Sequence, residues 1–153
     1  MSSPPVPPPE HDDADLADRL CLIILRLSRQ LRREAQKVGA SASDAMLLAA
    51  LTKQPGLGSS DLADREQMSR PAMIAHLNRL EEAGWIARQD TPVDGDRRRV
   101  GYEVTPDGAR ELGDIRRQRA AWLANQLARL DAEALAAVKA AAGPLGDIVE
   151  PRS

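Results

Sequence analysis

The chain has 153 residues, enough for one domain with a substantial core, and a formal net charge of −2, so a nucleic-acid surface would have to come from local clustering. Its single cysteine, Cys21, excludes an internal disulfide framework. No apolar run approaches the length of a membrane span and the N-terminus lacks an apolar signal region, so the expectation is a cytoplasmic protein with no membrane partner. Absence of Phe together with abundant Ala, Leu and Arg favours helices.

In chain order, residues 1–13 read as a Pro-rich, then acidic, disordered tail, because its prolines deny it both helix and ladder hydrogen bonds. A helix is predicted from Asp15, with Leu16, Leu20, Ile23, Ile24, Leu27, Leu31 and Val38 on its apolar stripe and Gly39 as its stop. Residues 42–53 form a second helix, opened by a Ser41/Asp44 capping box, with Met46, Leu47, Ala50 and Leu51 facing the core. A short third helix fits 60–66 behind a Ser59 cap. Ser69 caps a fourth, in which Pro71 is tolerated near the start and Met73, Leu77 and Leu80 are buried; Gly84 ends it.

Two strands follow, at 85–89 and 99–104. In the second, Val100, Tyr102 and Val104 alternate with Gly101 and Glu103, and "DTPVDGD" between the strands carries turn signals. Thr105-Pro106 opens a long helix with Leu112, Ile115, Leu123, Leu127 and Leu130. Asp131 caps a last helical segment, which Gly143-Pro144 is expected to bend or interrupt.

Helix, short helix, helix and hairpin over 41–104 is the order of a winged helix-turn-helix. Such a unit places side chains from the start of one helix against base edges in the major groove. The hairpin meets the backbone or the minor groove. Arg97, Arg98 and Arg99 suit its tip, because arginine forks onto phosphate oxygens and is favoured where the minor groove narrows. Taken alone, three adjacent arginines are as readily a solvated charge run; their setting gives them a role.

"SRPAMIAHLNRLEEAGWIARQ" followed by "DGDRRRVGYEVTPDG" resembles the MarR family of winged-helix transcription regulators. The most specific features are Leu80-Glu81-Glu82-Ala83-Gly84 and the pair Asp96 and Arg98, nine and seven residues before Thr105. The resemblance implies a mainly α fold with a small β-hairpin wing. Residues 41–104 would be the DNA-binding winged helix-turn-helix, and 14–40 with 105–150 a helical dimerisation region. It implies a homodimer that binds double-stranded DNA at a pseudo-palindromic operator, most simply as a ligand-responsive repressor.

By matching position, Arg98 would enter the minor groove, and Asp96 would orient the wing through a charged pair or serve only as a turn-former. Ser69, Arg70, Ala72 and His76 would lie on the exposed, base-reading half of the recognition helix, with Arg79 a phosphate contact or a surface charge. Ala72, Ile74 and Ala75 stand where relatives often carry polar or basic groups, so base reading would lean on Arg70, His76 and DNA shape.

Relatives often hold a small amphipathic or phenolic effector between the dimer helices and the winged helix. Arg26, Met46, Met73 and Trp122 are the candidates to line such a pocket. Cys21 offers a redox site, but the only tyrosine is Tyr102 in the wing strand, and a buried, inert thiol is the simpler reading. No metal spacing, phosphate loop or catalytic constellation is present, which argues against an enzyme and against a cofactor. The alternatives are a winged-helix protein-interaction module without DNA binding and a redox-responsive regulator using Cys21.

Overall fold

The computed structural model describes residues 11–92 and 98–150. The elements are α1 (His11–Gln36), α2 (Ala42–Lys53), α3 (Ser59–Arg65), α4 (Arg70–Glu82), β1 (Ile86–Pro92), β2 (Arg98–Val104), α5 (Pro106–Leu127) and α6 (Ala132–Val149). The fold is mainly α, with one antiparallel hairpin in which Ile86 faces Val104 and Arg88 faces Tyr102.

Local chemistry sets most boundaries. Ser41 and Asp44 form the expected capping box, and Ser69, Thr105 and Asp131 each accept a backbone N–H in the first turn of the helix that follows. At the end of α4, Gly84 (φ +78°) donates to the Glu81 carbonyl at 2.9 Å and Trp85 donates to Leu80 at 3.0 Å. These paired bonds close the helix and turn the chain into β1.

The winged-helix core joins Leu47, Leu48 and Leu51 of α2, Leu62 of α3, Met73, Leu77 and Leu80 of α4, Ile86, Tyr102 and Leu112. Each fully buried leucine or methionine contributes about 1.5–3 kcal/mol relative to exposure. A smaller cluster of Ala35, Ala40, Ala45 and Ile115 fastens the end of α1 to α2 and α5, and Trp85 packs against both clusters. Between α1 and α5, buried Glu34 accepts from Gln30 at 3.0 Å, Lys37 at 2.9 Å and Gln118 at 2.9 Å. The Lys37 and Gln118 hydrogen bonds, outweighing burial, hold its carboxyl below the ordinary range.

The segment between α2 and α3 adds a third, short pairing to the hairpin. Gly56 donates to the Tyr102 carbonyl at 2.8 Å and Tyr102 donates to Leu57 at 3.0 Å. Gly101 makes this approach feasible, because a Cβ there would stand 2.4 Å from the Gly56 oxygen.

Several expectations are corrected. The first helix starts at His11, inside the span read as a disordered tail; residues 1–10 lie outside the described ones. Gly58, not Ser59, is the N-cap of α3, since Ser59 is already helical. Met46 is 55% exposed; the buried face of α2 rotates instead onto Leu47, Leu48 and Leu51. Val100 is exposed, so only Tyr102 and Val104 of the alternating set turn to the core. The last helix runs unbroken through Pro144. The stripe of α1 is only partly a core within the described chain: Val38 packs against the smaller cluster, but Leu16, Ile23, Ile24 and Leu27 are exposed.

Candidate nucleic-acid interface

The turn between α3 and α4 sets the angle at which α4 leaves the domain. Gln67 there adopts a left-handed backbone (φ +51°), and Met68 donates to the Ala63 carbonyl at 2.9 Å. Ser69 then opens α4, its hydroxyl accepting the Ala72 N–H at 3.3 Å. Met73, Leu77 and Leu80 bury one side of the helix, while Pro71, Ala72, Ile74, Ala75 and Asn78 stay exposed on the other.

Ser69 and Ala72 lie exposed at the start of α4. Arg70 is exposed too, but its guanidinium is tied back to α3, with Nε donating to Ser60 Oγ at 3.0 Å and Nη2 donating to the same oxygen.

His76 is a correction. Its side chain is 9% exposed and turns inward, with Nε2 2.7 Å from Asp44 Oδ1. A carboxylate acceptor requires the proton on that nitrogen. Arg79 Nη2 donates to the same oxygen at 2.7 Å, though the Arg79 side chain remains 57% exposed. Asp44 Oδ2 meanwhile accepts the Ser41 N–H at 2.8 Å.

One carboxylate, 3% exposed, thus closes the capping box of α2 and holds two side chains of α4. Burial pushes the Asp44 carboxyl up, but the Ser41 N–H, His76 and the Arg79 charge together outweigh it and leave it below the ordinary value. Sequence reasoning saw Asp44 only as a cap, since the pairing spans 32 residues. Near this group, Glu111 of α5 has a buried Oε1 with no hydrogen-bond partner among the described residues. Burial first, then the charges of Asp114 and Asp44, raise its carboxyl above the ordinary value.

The wing is fastened to α4 by Arg88, which sequence reasoning passed over. Its Nε donates to Glu81 at 2.8 Å and its Nη2 to Asn78 at 3.3 Å. The backbones of Arg98 and Arg99 open β2, opposite Pro92 and Thr91, and so emerge at the end of the hairpin away from the core. Asp96 and Arg97 lie outside the described residues.

The four pocket candidates do not come together. Met73 is fully buried in the winged-helix core, Arg26 is exposed on α1, and Trp122 is half-buried on α5. Met46 alone lines a groove, of about 290 Å³, with Ile24, Leu27, Ser28, Leu31 and Arg32 of α1, Ala42 of α2 and Arg119 of α5. Arg119 donates from Nε to the Leu31 carbonyl at 3.2 Å, and burial lowers its pKa. Among the described residues no carboxylate pairs with it. Arg32 and Arg119 carried no signal beyond a basic helical face.

Cys21 is exposed on α1 in the single chain, contrary to the buried thiol expected, while Tyr102 is buried in the winged-helix core. The two do not form a common site. Among the described residues, no three metal-ligating side chains converge and no helix is long and apolar enough to cross a membrane.

A sequence profile of the MarR family matches residues 41–100. The chain is 36% identical over 119 residues to the uncharacterized HTH-type transcriptional regulator Mb0904 of Mycobacterium bovis, covering 78% of this chain and 82% of that one. A crystal structure of a protein from Pseudomonas aeruginosa PA01, regarded as a transcriptional regulator, superimposes with a TM-score of 0.72 at 33% identity, over 95% of this chain and all of that one. The fold is also shared with a mutant of S. aureus MepR bound to an oligodeoxyribonucleotide, with a TM-score of 0.64 at 17% identity over 88% of this chain and 98% of that one. With its capped α4, its hairpin and this extent of similarity, the chain belongs to the MarR family of winged-helix, DNA-binding transcription regulators.

Proposed function

We propose that the protein acts as a homodimeric repressor whose two α4 helices enter successive major grooves of a pseudo-palindromic operator. The half-sites then lie about one helical turn apart, on the order of 10 bp. The observation that carries the dimer is the unpartnered apolar surface. Leu16, Leu22, Ile23, Ile24 and Leu25 of α1 and Val138, Leu145 and Ile148 of α6 are all exposed in one chain. Exposed apolar residues gathered on two helices in this way favour burial against a partner rather than contact with water. MarR family members are dimers, and the two helices are the first and last of the fold. In this reading α1 with residues 105–150 forms the dimer region, and 41–104 hangs from it as the DNA-binding unit.

Arg98 and Arg99, at the start of β2, and the neighbouring Arg97 carry the cationic contact to phosphate and minor groove, with Asp96 orienting them. Ser69, Arg70 and Arg79 flank the base-reading face as backbone contacts. The groove beside Met46 supports ligand response. It joins aliphatic walls to two guanidinium groups, a chemistry that suits a small amphipathic anion, phenolic acids included. It also borders α1, α2 and α5, so an occupant that favours one spacing of the dimer shifts the population away from DNA-fitting pairs.

Light scattering joined to footprinting tests this reading. The wild-type chain is expected at dimer mass with two protected half-sites one turn apart. Ile23→Glu is expected at monomer mass with the footprint gone. A monomeric wild type that gives the same footprint overturns it.

A further inference from the structure

Of the two polar residues best placed in sequence to read bases, His76 is turned inward onto Asp44, and Arg70, though exposed, leans back toward α3 to hydrogen-bond Ser60. Across the first two turns of α4 the outward surface is Pro71, Ala72, Ile74 and Ala75, and Ile74 is 44% exposed.

At 3.6 residues per turn, positions 71, 75, 78 and 82 lie opposite the buried Met73, Leu77 and Leu80, with 72 and 74 to either side. Through the first two turns this outward face is apolar, and beyond them it turns polar at Asn78 and Glu82; nothing within the described chain covers its apolar part. The far end of α4 carries Glu81 and Glu82, which phosphate repels, so the helix meets DNA by its N-terminal turns, where the helix dipole is favourable. A guanine edge asks for paired donors from Arg or Lys, and an adenine edge for a side-chain amide. The one apolar group on any base edge in the major groove is the thymine 5-methyl.

Resting on the DNA-binding role above, we infer that Ala72, Ile74 and Ala75 read thymine methyl groups. The operator is defined by the placement of thymines under these side chains rather than by guanine contacts. Arg70 and Arg79 supply position along the backbone without base preference.

The test begins with duplexes selected from a random pool by the full-length wild-type protein. Each selected duplex is then remade with deoxyuridine in place of thymidine, which removes methyl groups and leaves every hydrogen-bonding edge intact. Affinities are compared by fluorescence anisotropy at one salt concentration. A buried methyl is worth about 0.8 kcal/mol, or about fourfold, so losing two per half-site is expected to weaken binding on the order of a hundredfold.

Affinity for random-sequence DNA and the salt slope are expected to stay unchanged, because no phosphate contact is lost. Ile74→Ala, an exposed substitution, is expected to shrink the thymine-to-uracil ratio by several-fold. The inference is overturned if the uracil duplex binds within twofold of the thymine one, if Ile74→Ala leaves the ratio intact, or if selection returns no preferred duplex. The comparison holds for symmetric and asymmetric duplexes alike. An operator that is not a palindrome therefore defeats the dimer reading and leaves this one standing.

Discussion

The junction between the winged helix and the dimer helices turns on one atom that Gly108 does not have. Gly108 is the third residue of α5, and its N–H donates to Thr105 Oγ1 at 3.1 Å. A Cβ there would stand 2.0 Å from the Trp85 carbonyl oxygen and 2.9 Å from Val104 Cγ1. An ordinary C···O contact is about 3.3 Å or more, so Gly108→Ala demands a shift of over about 1 Å.

Little there can yield. The Trp85 oxygen accepts the Thr105 N–H at 3.0 Å, Thr105 Oγ1 donates to the Gly84 carbonyl at 2.5 Å, and Val104 is held in register by Ile86. Opening the junction costs about 1 kcal/mol for each of these two hydrogen bonds and about 1–3 kcal/mol of overpacking. The helix-propensity gain of Gly to Ala returns only about 1 kcal/mol. The net loss is about 2–4 kcal/mol, or a fall in Tm of about 5–15 °C for a chain of this size.

Gly113→Ala in the same helix has the opposite sign. The nearest atom to its Cβ is Arg117 Nη1 at 3.3 Å, the far end of a flexible, exposed side chain whose other terminal nitrogen is paired with Asp114, so a small shift suffices, the propensity gain survives and the melt rises by a few degrees. Calorimetric melts at one fixed protomer concentration read both variants, since Tm depends on concentration in a dimer. A Gly108→Ala protein that melts at or above wild type refutes the account of this junction.

Glu111 predicts a pH dependence. Its folded pKa lies above its ordinary value of 4.5, so it favours the folded state below that pH and loses this advantage as pH rises through the folded value. At neutral pH the ionised carboxylate is a penalty. Glu111→Gln should melt above wild type at pH 7, with the gap closing as pH falls toward 4; a gap of constant size speaks against the assignment. Arg98→Ala is expected to weaken operator binding and to lower the slope of log affinity against log salt by about 1 in magnitude per wing, read by anisotropy across a salt titration. An unchanged slope removes Arg98 from the DNA contact.

The linear sequence carried the elements because their signals are local. Ser41, Ser69, Thr105 and Asp131 cap the next few residues, Gly84 closes the helix before it, and Met73, Leu77 and Leu80 recur at helical spacing. The family resemblance rests on the same kind of short-range pattern.

What the tertiary structure decided is where each polar side chain spends its hydrogen bonds. Periodicity puts His76 on α4 but cannot say that a carboxylate from α2 waits beside it, so only the fold turns a supposed base reader into an internal tie. Arg119 met α1 and Met46 in a groove by the same route, through residues far apart in the chain. The stripe of α1 shows the converse: an apolar period demands burial, but whether the cover comes from the same chain or a second copy depends on how the helices pack, and here one chain leaves most of it bare.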